Sequence, residues 1–296
     1  MQRDHRQASI LFFGLFSGWL LAVPFQGQVF YARLAETGNH LPSFLVELIL
    51  IGHFAGLLAS GLIVRSLQTA RKTILFSMPV CLVVTALLMY SAPPLWGWVI
   101  VIAAVFSGLI IGSWGYYFKE FTPPGKRMHT AALIIILANA LMIFLNTIAV
   151  NLSPFAGIVL SMAVLAAAFV ICLLFKTNKR VVPVEPELPP SVASSLYRPL
   201  LLLCLFVVMI TINSGLMYQV VVPAFRHHEL LTSIYWALPY IGALYFMLRI
   251  PERFNKSYLM YIAVTMIGIA FLLYFVLDRS ALSYIIIDTL MLGAFG

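Results

Sequence analysis

The stretch LWGWVIVIAAVFSGLIIGSWGYYF occupies residues 95–118 and contains no charged side chain. A helix needs about 20 apolar residues to cross the hydrocarbon core of a bilayer, so this stretch predicts a transmembrane helix. The rest of the chain has the same character, since 62% of its 296 residues are hydrophobic and 9% are charged. Soluble domains carry about 25% charged residues, which excludes a water-soluble fold and a sizeable soluble catalytic domain. We predict an all-α polytopic membrane protein.

Ten apolar stretches follow one another along the chain. If the N-terminus is cytoplasmic and each stretch crosses once, all but three of the 18 Lys and Arg residues lie in cytoplasmic segments; the exceptions are Arg33, Arg226 and Arg279. Such an excess of inner positive charge is typical of membrane proteins. It predicts a multi-pass protein with about ten transmembrane helices and a cytoplasmic N-terminus. We expect its location to be the plasma membrane, specifically a bacterial inner membrane. The predicted spans are 9–31, 43–64, 74–92, 95–118, 130–150, 154–175, 199–222, 230–249, 258–277 and 281–296.

A polar segment divides these spans into two groups. Residues 176–198 hold four prolines and charges of both signs, a composition that predicts an extended cytoplasmic linker. It separates a six-helix N-terminal bundle, residues 1–175, from an incomplete C-terminal bundle of four spans, residues 199–296. The last span, 281–296, measures about 24 Å as a helix against a core of about 30 Å. We therefore expect the chain to stop within its tenth span.

Two cytoplasmic loops and the helices beside them resemble those of the major facilitator superfamily (MFS) of transporters. The resemblance lies in the small-residue helix Gly52–Gly61 with its basic loop Arg65 to Lys72, and in the loop Phe121-Thr122-Pro123-Pro124-Gly125-Lys126-Arg127. The sequence departs from the family at Arg65, where an acidic residue is usual, and in lacking the Gly-Pro signature of the antiporters in span five. The resemblance implies an MFS-like six-helix half, a second incomplete half, and secondary transport by alternating access.

Two carboxylates lie within predicted spans, Glu47 and Asp288. Every Lys and Arg lies in a loop or at the end of a span, so neither acid has an obvious cation partner within the membrane. An ionised carboxylate at depth costs about 2.5–3.5 kcal/mol on insertion scales, so such groups usually face a cavity or carry protons. We interpret both as candidate proton-coupling residues. A structural hydrogen bond or a water-filled vestibule is the alternative, and Tyr284, one turn from Asp288, is a candidate partner.

The resemblance also implies a central cavity lined mainly by spans one, four, seven and ten, with contributions from two, five and eight. Polar side chains in these spans are candidate substrate-binding residues, although hydrogen bonds between helices would explain them equally well. Since the visible cavity offers no fixed cation, we expect a neutral or cationic small organic ligand. The candidates are Gln26, Asn139, Asn146, Asn213, Tyr218, Gln219 and Tyr284.

Small residues on spans two and four predict packing seams: Gly52, Gly56 and Ser60 lie within about 80° on one helix face, and Gly108, Gly112 and Gly115 within about 60° on the other. His53 is interpreted as a packed, neutral histidine. The adjacent His227 and His228 are expected to point apart in a solvated loop.

Among the residue patterns in the sequence we find no catalytic motif and no metal or cofactor motif, so we expect neither an enzyme nor a nucleic-acid-binding protein within this chain.

A rival hypothesis is a membrane-embedded sensor. The run Asn213-Ser214-Gly215-Leu216-Met217-Tyr218 and the degenerate loop after span two also resemble the MFS-like membrane domains of LuxR-type helix-turn-helix regulators. In such a protein a ligand would bias a conformation that a cytoplasmic DNA-binding domain outside these residues detects. The lipid bilayer and a small-molecule ligand are the partners expected under both hypotheses.

Overall fold

The structure is a computed structural model that describes residues 2–25, 27–38, 43–90, 93–174, 201, 216–250 and 257–296. The regular elements within these ranges are all helical. The chain forms two compact units, Met1–Lys179 and Arg180–Gly296. The helices are α1 Gln2–Ala22, α2 Gln28–Glu36, α3 Ser43–Ile63, α4 Leu67–Leu87, α5 Pro93–Phe121, α6 Arg127–Asn151, α7 Pro154–Leu174, α8 Glu229–Ile234, α9 Leu238–Arg249, α10 Ser257–Val276 and α11 Ala281–Gly293.

Five segments are long and apolar enough to cross a membrane: Leu67–Leu87, Pro94–Phe121, Pro124–Asn151, Pro154–Leu174 and Tyr258–Val276. Three shorter apolar helices accompany them, Arg6–Ala22, Glu47–Ile63 and Ala281–Gly293. Their surfaces are also those of a membrane protein, since large apolar side chains such as Leu62 and Phe275 are three-quarters or more exposed. The protein is therefore a multi-pass, all-α membrane protein.

The first predicted span is broken into two helices. Pro24, just after the end of α1, has no backbone N–H to continue the hydrogen-bond ladder, and α2 starts again at Gln28. Gly27 allows the chain to turn back closely, because a Cβ on this residue would lie 1.8 Å from the carbonyl oxygen of Ala22. The prediction of one continuous helix over 9–31 was wrong on this point.

Other helix boundaries differ from the predicted spans for local reasons. α4 begins seven residues before the predicted start at 74, because the Ser66 hydroxyl accepts a hydrogen bond from the Thr69 N–H and caps the helix. The predicted span 230–249 is divided by a 3-10 turn at Tyr235–Ala237. Of the predicted span 199–222 the structure describes Leu201 and the end, where a π-helical turn at Met217–Val221 leads into an α-helical turn at Val222–Ala224. The linker predicted at 176–198 lies outside the described residues.

Helix packing in the N-terminal unit follows a repeating pattern. α3 packs on α5 as α6 packs on α1, and α4 packs on α5 as α7 packs on α1. The first three spans are α1 with α2, α3 and α4, and the last three are α5, α6 and α7. If each of the first three is exchanged for its counterpart among the last three, the α3–α5 contact becomes the α6–α1 contact, and the α4–α5 contact becomes the α7–α1 contact. The α4–α7 pair maps onto itself, and the α6–α7 contact is the exception. This is the pairing expected of two related three-helix repeats.

At the α3–α5 interface, glycines of each helix lie directly against the backbone of the other. A Cβ on Gly56 would lie 2.1 Å from the Val105 carbonyl oxygen, and a Cβ on Gly108 would lie 2.2 Å from the His53 carbonyl oxygen. Gly112 faces the Ser60 hydroxyl, and Gly52 faces a methyl group of Val105. The two predicted packing seams are thus confirmed as the two sides of one interface, with Gly115 as the exception because nothing lies within 4 Å of it.

A second contact fixes α1 against α4. The Trp19 indole N–H donates to the Thr85 hydroxyl over 3.1 Å, and the Thr85 hydroxyl donates to the Cys81 carbonyl of its own helix. Trp19 and Thr85 are both fully buried. This hydrogen bond satisfies a polar N–H that water cannot reach.

The C-terminal unit is organised around α11, which packs against α9 and α10. Its core consists of apolar and aromatic side chains from α10, α11 and the turns before α8: Met217, Val221, Phe225, Ala270, Tyr274, Tyr284, Ile287, Met291 and Leu292. The Ser280 hydroxyl caps α11 by accepting a hydrogen bond from the Ser283 N–H. The inward face of α11 also carries Asp288, which places a carboxylate within the hydrophobic core.

Candidate functional site

Asp288 is completely buried on the inward face of α11. The same face buries Tyr284, Ile287 and Met291. Both carboxylate oxygens are shielded from solvent, and neither has a hydrogen bond of standard geometry within the described residues. The Tyr284 side chain, one helical turn earlier, interacts with this carboxylate. A buried carboxyl group with so little polar support is unusual, because an isolated charge in an apolar environment is costly.

Phe225 lies between Tyr284 and the loop that begins α11. Its ring is fully buried, with its centroid 5.3 Å from that of Tyr284. The Arg279 guanidinium lies over two rings, 5.5 Å from the centroid of Phe225 and 4.0 Å from that of Tyr274. Arg279 also donates to the Tyr274 carbonyl over 2.9 Å. Arg279, in the loop before α11, therefore contacts both Phe225 and Tyr274 of the core.

The loop before α11 contains a compact hydrogen-bonded cap. The hydroxyls of Ser283 and Ser280 donate to Asp278 Oδ1 over 2.5 and 2.8 Å. These hydrogen bonds, that of Ser283 above all, hold the pKa of the Asp278 carboxylate below its ordinary value. The start of α11 is thus tied to an exposed carboxylate.

His227 and His228 converge, contrary to expectation. Their ring centroids are 4.1 Å apart, and both Nε2 atoms face the Arg279 carbonyl oxygen, at 2.7 and 3.3 Å. Since a carbonyl can only accept, each Nε2 carries a proton and donates it. The prediction that the adjacent side chains point apart was wrong, because both rings turn towards the same carbonyl oxygen in the loop before α11. Sequence adjacency gave no signal of this contact.

Glu47 occupies a different environment from Asp288. It is exposed, as are Leu50, Ile51 and Phe54 on the same side of α3. The opposite side, which contains Ile49 and Gly56, packs against α5. The two candidate proton-coupling carboxylates therefore differ in burial, and a proton-coupling role for Glu47 stays a prediction.

The two amides of α6, which are seven residues apart, both lie on its buried face. Asn139 is 6% exposed and donates through Nδ2 to the Ile135 carbonyl of its own helix over 2.8 Å. Asn146 is 5% exposed, and its Oδ1 is shielded without a hydrogen-bond partner in the described residues. Neither amide forms a hydrogen bond to another described helix, and their binding role stays a prediction.

The remaining candidate residues are Gln26, Asn213, Tyr218, Gln219 and Tyr284. Gln26 and Asn213 lie outside the described residues. Tyr218 and Gln219 belong to the π-helical turn, of which the structure describes the backbone. Among the proposed substrate-binding residues whose side chains the structure describes, Asn139, Asn146 and Tyr284, it is Tyr284 that lies beside Asp288.

His53 is anchored by α5 and by the break between α1 and α2. Its Nδ1 lies 2.9 Å from the Ser107 hydroxyl oxygen and 3.2 Å from the Ala104 carbonyl oxygen. The Phe25 ring meets the imidazole edge-on with centroids 4.7 Å apart. The interpretation of His53 as a packed histidine agrees with these contacts, but the sequence did not reveal its two partners on α5.

In the described part of the chain, no three His, Cys, Asp or Glu side chains come together as metal ligands. Cys81 and Cys172 are buried free thiols, and Cys204 lies outside the described residues. The polar groups that remain for chemistry are the Asp288–Tyr284 pair in one unit and the His53–Ser107 pair in the other.

No protein-family model matches the chain, and no curated protein matches it significantly. Its function must therefore be inferred from the residues themselves.

Proposed function

We propose that the protein is a secondary transporter of a neutral or cationic small organic solute, with an MFS-like fold and Asp288 as its proton-binding residue. The observation that carries the proposal is the complete burial of a carboxyl group on an apolar helix of a multi-pass membrane protein. Tyr284 interacts with this carboxyl group, and among the described residues no cation is paired with it. In such a site the neutral acid is favoured, and the charged form requires a change of surroundings. Binding and release of a proton at Asp288 would thus be coupled to a change of conformation.

The pairing of helices in the N-terminal unit supports this proposal. In transporters of the major facilitator superfamily each six-helix half contains two three-helix repeats, and the two halves rock about a midplane site. The distribution of Lys and Arg supports a cytoplasmic N-terminus and ten spans within this chain. We place the protein in a bacterial inner membrane as part of the proposal. On this topology the Asp278–Ser280 loop faces outwards, and Asp288 lies about 10 Å inside the bilayer.

The proposal is tested with the purified protein in proteoliposomes. Uptake of a panel of radiolabelled neutral and cationic organic solutes is measured with and without an imposed pH gradient. We expect at least one solute to accumulate only with the gradient, and Asp288→Asn to abolish this accumulation. Glu36→Gln is the matched control, since Glu36 is an exposed carboxylate paired with Arg33.

Two results would contradict the proposal. Gradient-driven uptake that persists unchanged in Asp288→Asn would exclude Asp288 as the proton carrier. Saturable solute binding without flux, in protein that retains its fold, would exclude the transporter and favour the sensor.

A further inference from the structure

The imidazole of His53, in the N-terminal unit, is a polar side chain with no role in the proposed function. Its backbone is fixed with unusual precision, because its carbonyl oxygen lies against Gly108, where even a methyl group would not fit. The side chain then extends across α5 to Ala104 and Ser107. The position of the ring is therefore set by the close backbone contact between α3 and α5.

The neighbours of Nδ1 also decide which ring nitrogen carries the proton. The Ser107 hydroxyl donates to the Ala104 carbonyl over 2.7 Å, so its oxygen is left to accept from His53. Both groups that face Nδ1 are thus acceptors, and Nδ1 must carry the hydrogen. In the neutral imidazole Nε2 then has a free lone pair and acts as a hydrogen-bond acceptor.

Nε2 has no partner within the described residues, since both hydrogen bonds of His53 involve Nδ1. Unlike Asn146 Oδ1, it is not sealed from solvent. The neighbouring element is the α1–α2 break, where Phe25 packs edge-on against the ring and where Gly27 begins α2 without a side-chain cap. Interrupted membrane helices of this kind commonly border the binding sites of transporters.

We infer that His53 is a ligand-binding residue whose Nε2 accepts a hydrogen bond from a hydroxyl, amide or ammonium group of a small organic solute. Ser107 is its positioning residue, because it holds the tautomer without touching the ligand. Phe25 would cover the apolar part of the same solute. This inference rests on the proposed function, to which it adds a binding residue and a class of ligand group.

The first test measures whether position 53 is reached from water. His53→Cys is made in the full chain with the three native cysteines replaced by alanine, and membrane vesicles are treated with a membrane-impermeant cationic methanethiosulfonate. We expect the thiol at position 53 to be modified from at least one side of the membrane. Ile49→Cys, one turn earlier on the buried face of α3, should remain unmodified. Absence of modification at position 53 from both sides would overturn the inference.

The second test measures the tautomer directly. Nitrogen-15 spectra of the wild-type protein, with the His53 signal assigned by comparison with His53→Gln, should show the proton on Nδ1 at neutral pH. In Ser107→Ala we expect a mixture of tautomers, whereas Ser161→Ala, which removes a buried serine of α7, should leave the signal unchanged. A proton on Nε2 in the wild-type protein would overturn the inference. Neither test requires transport, so its failure can be distinguished from failure of the proposed function.

Discussion

The glycine contacts between α3 and α5 lead to a quantitative prediction for stability. In Gly56→Ala the new Cβ would lie 2.1 Å from the Val105 carbonyl oxygen. An ordinary contact begins near 3.4 Å, so the two helices must separate locally by about 1.3 Å. The obstacle is backbone, and no change of rotamer can relieve it. Overpacking of this kind costs about 1–3 kcal/mol, and we expect the free energy of unfolding to fall by that amount.

Gly108→Ala should have an effect of similar size, because its Cβ would meet the His53 carbonyl oxygen at 2.2 Å. The double variant should cost less than the sum of the single variants, because separation of the helices by one methyl group makes room for the second. Gly112→Ala should cost less than either, because the Ser60 hydroxyl can rotate away. The fixed atom that remains, the Ser60 Cβ, lies 2.7 Å from the new methyl group, farther than the backbone oxygens that Gly56 and Gly108 meet.

The assay is thermal unfolding of the purified protein in detergent, followed by the loss of monomeric protein on size-exclusion chromatography. Gly61→Ala on α3 and Gly115→Ala on α5 are matched controls, because nothing lies within 4 Å of a Cβ at either position. Both controls should unfold at or slightly above the wild-type temperature, since alanine favours helix over glycine. If Gly56→Ala and Gly108→Ala unfold at the same temperature as these controls, the argument from backbone contact is refuted.

Two further predictions concern hydrogen-bonded side chains. Thr85→Val leaves the buried Trp19 indole N–H without its acceptor and should lower the free energy of unfolding by about 1–3 kcal/mol. Thr85→Ser keeps a hydroxyl acceptor and should restore most of this stability in the same thermal assay. If the two variants are equally stable, the hydrogen bond does not have this role. Hydrogen bonds lower the pKa of the Asp278 carboxyl group in the folded protein, so the ionised carboxylate stabilises the fold above the ordinary pKa of an aspartate. This stabilisation is lost as the pH falls through the lowered pKa. Amide hydrogen exchange at the start of α11, corrected for intrinsic rates, should therefore show lower protection at about pH 3 than at about pH 6 in the wild-type protein, and Asp278→Asn should remove most of that difference.

Hydrophobicity was sufficient to predict most of the helices, because an apolar stretch of spanning length has few alternatives in a membrane protein. α5, α6 and α7 lie close to the predicted spans, and the glycine spacing on α3 and α5 predicted their close approach. The break between α1 and α2 was not predicted, because Pro24 and Gly27 stand within a continuous apolar stretch. A proline in such a stretch is compatible with both a kinked and a broken helix.

The candidate site was predicted only in part. The carboxyl group of Asp288 was identified as unusual, because charge within an apolar stretch is visible in the sequence. Hydrophobicity could not distinguish Asp288 from Glu47, since burial depends on which face of a helix meets its neighbours. The contacts of His53 with Ser107, and of the His227–His228 pair with Arg279, join residues about 50 positions apart. Such pairings depend on tertiary packing, which the local pattern of residues does not encode.

The contrast between the α3–α5 contact and the α1–α2 break bears on how the N-terminal unit can move. Helices in backbone-to-backbone contact have no layer of side chains that could shear, so we expect α3 and α5 to move as a single rigid body. The break after Pro24 lacks a continuous hydrogen-bond ladder, and bending there costs far less than bending within either helix. The first span is therefore the natural hinge of this unit, and Phe25 connects that hinge mechanically to the imidazole of His53.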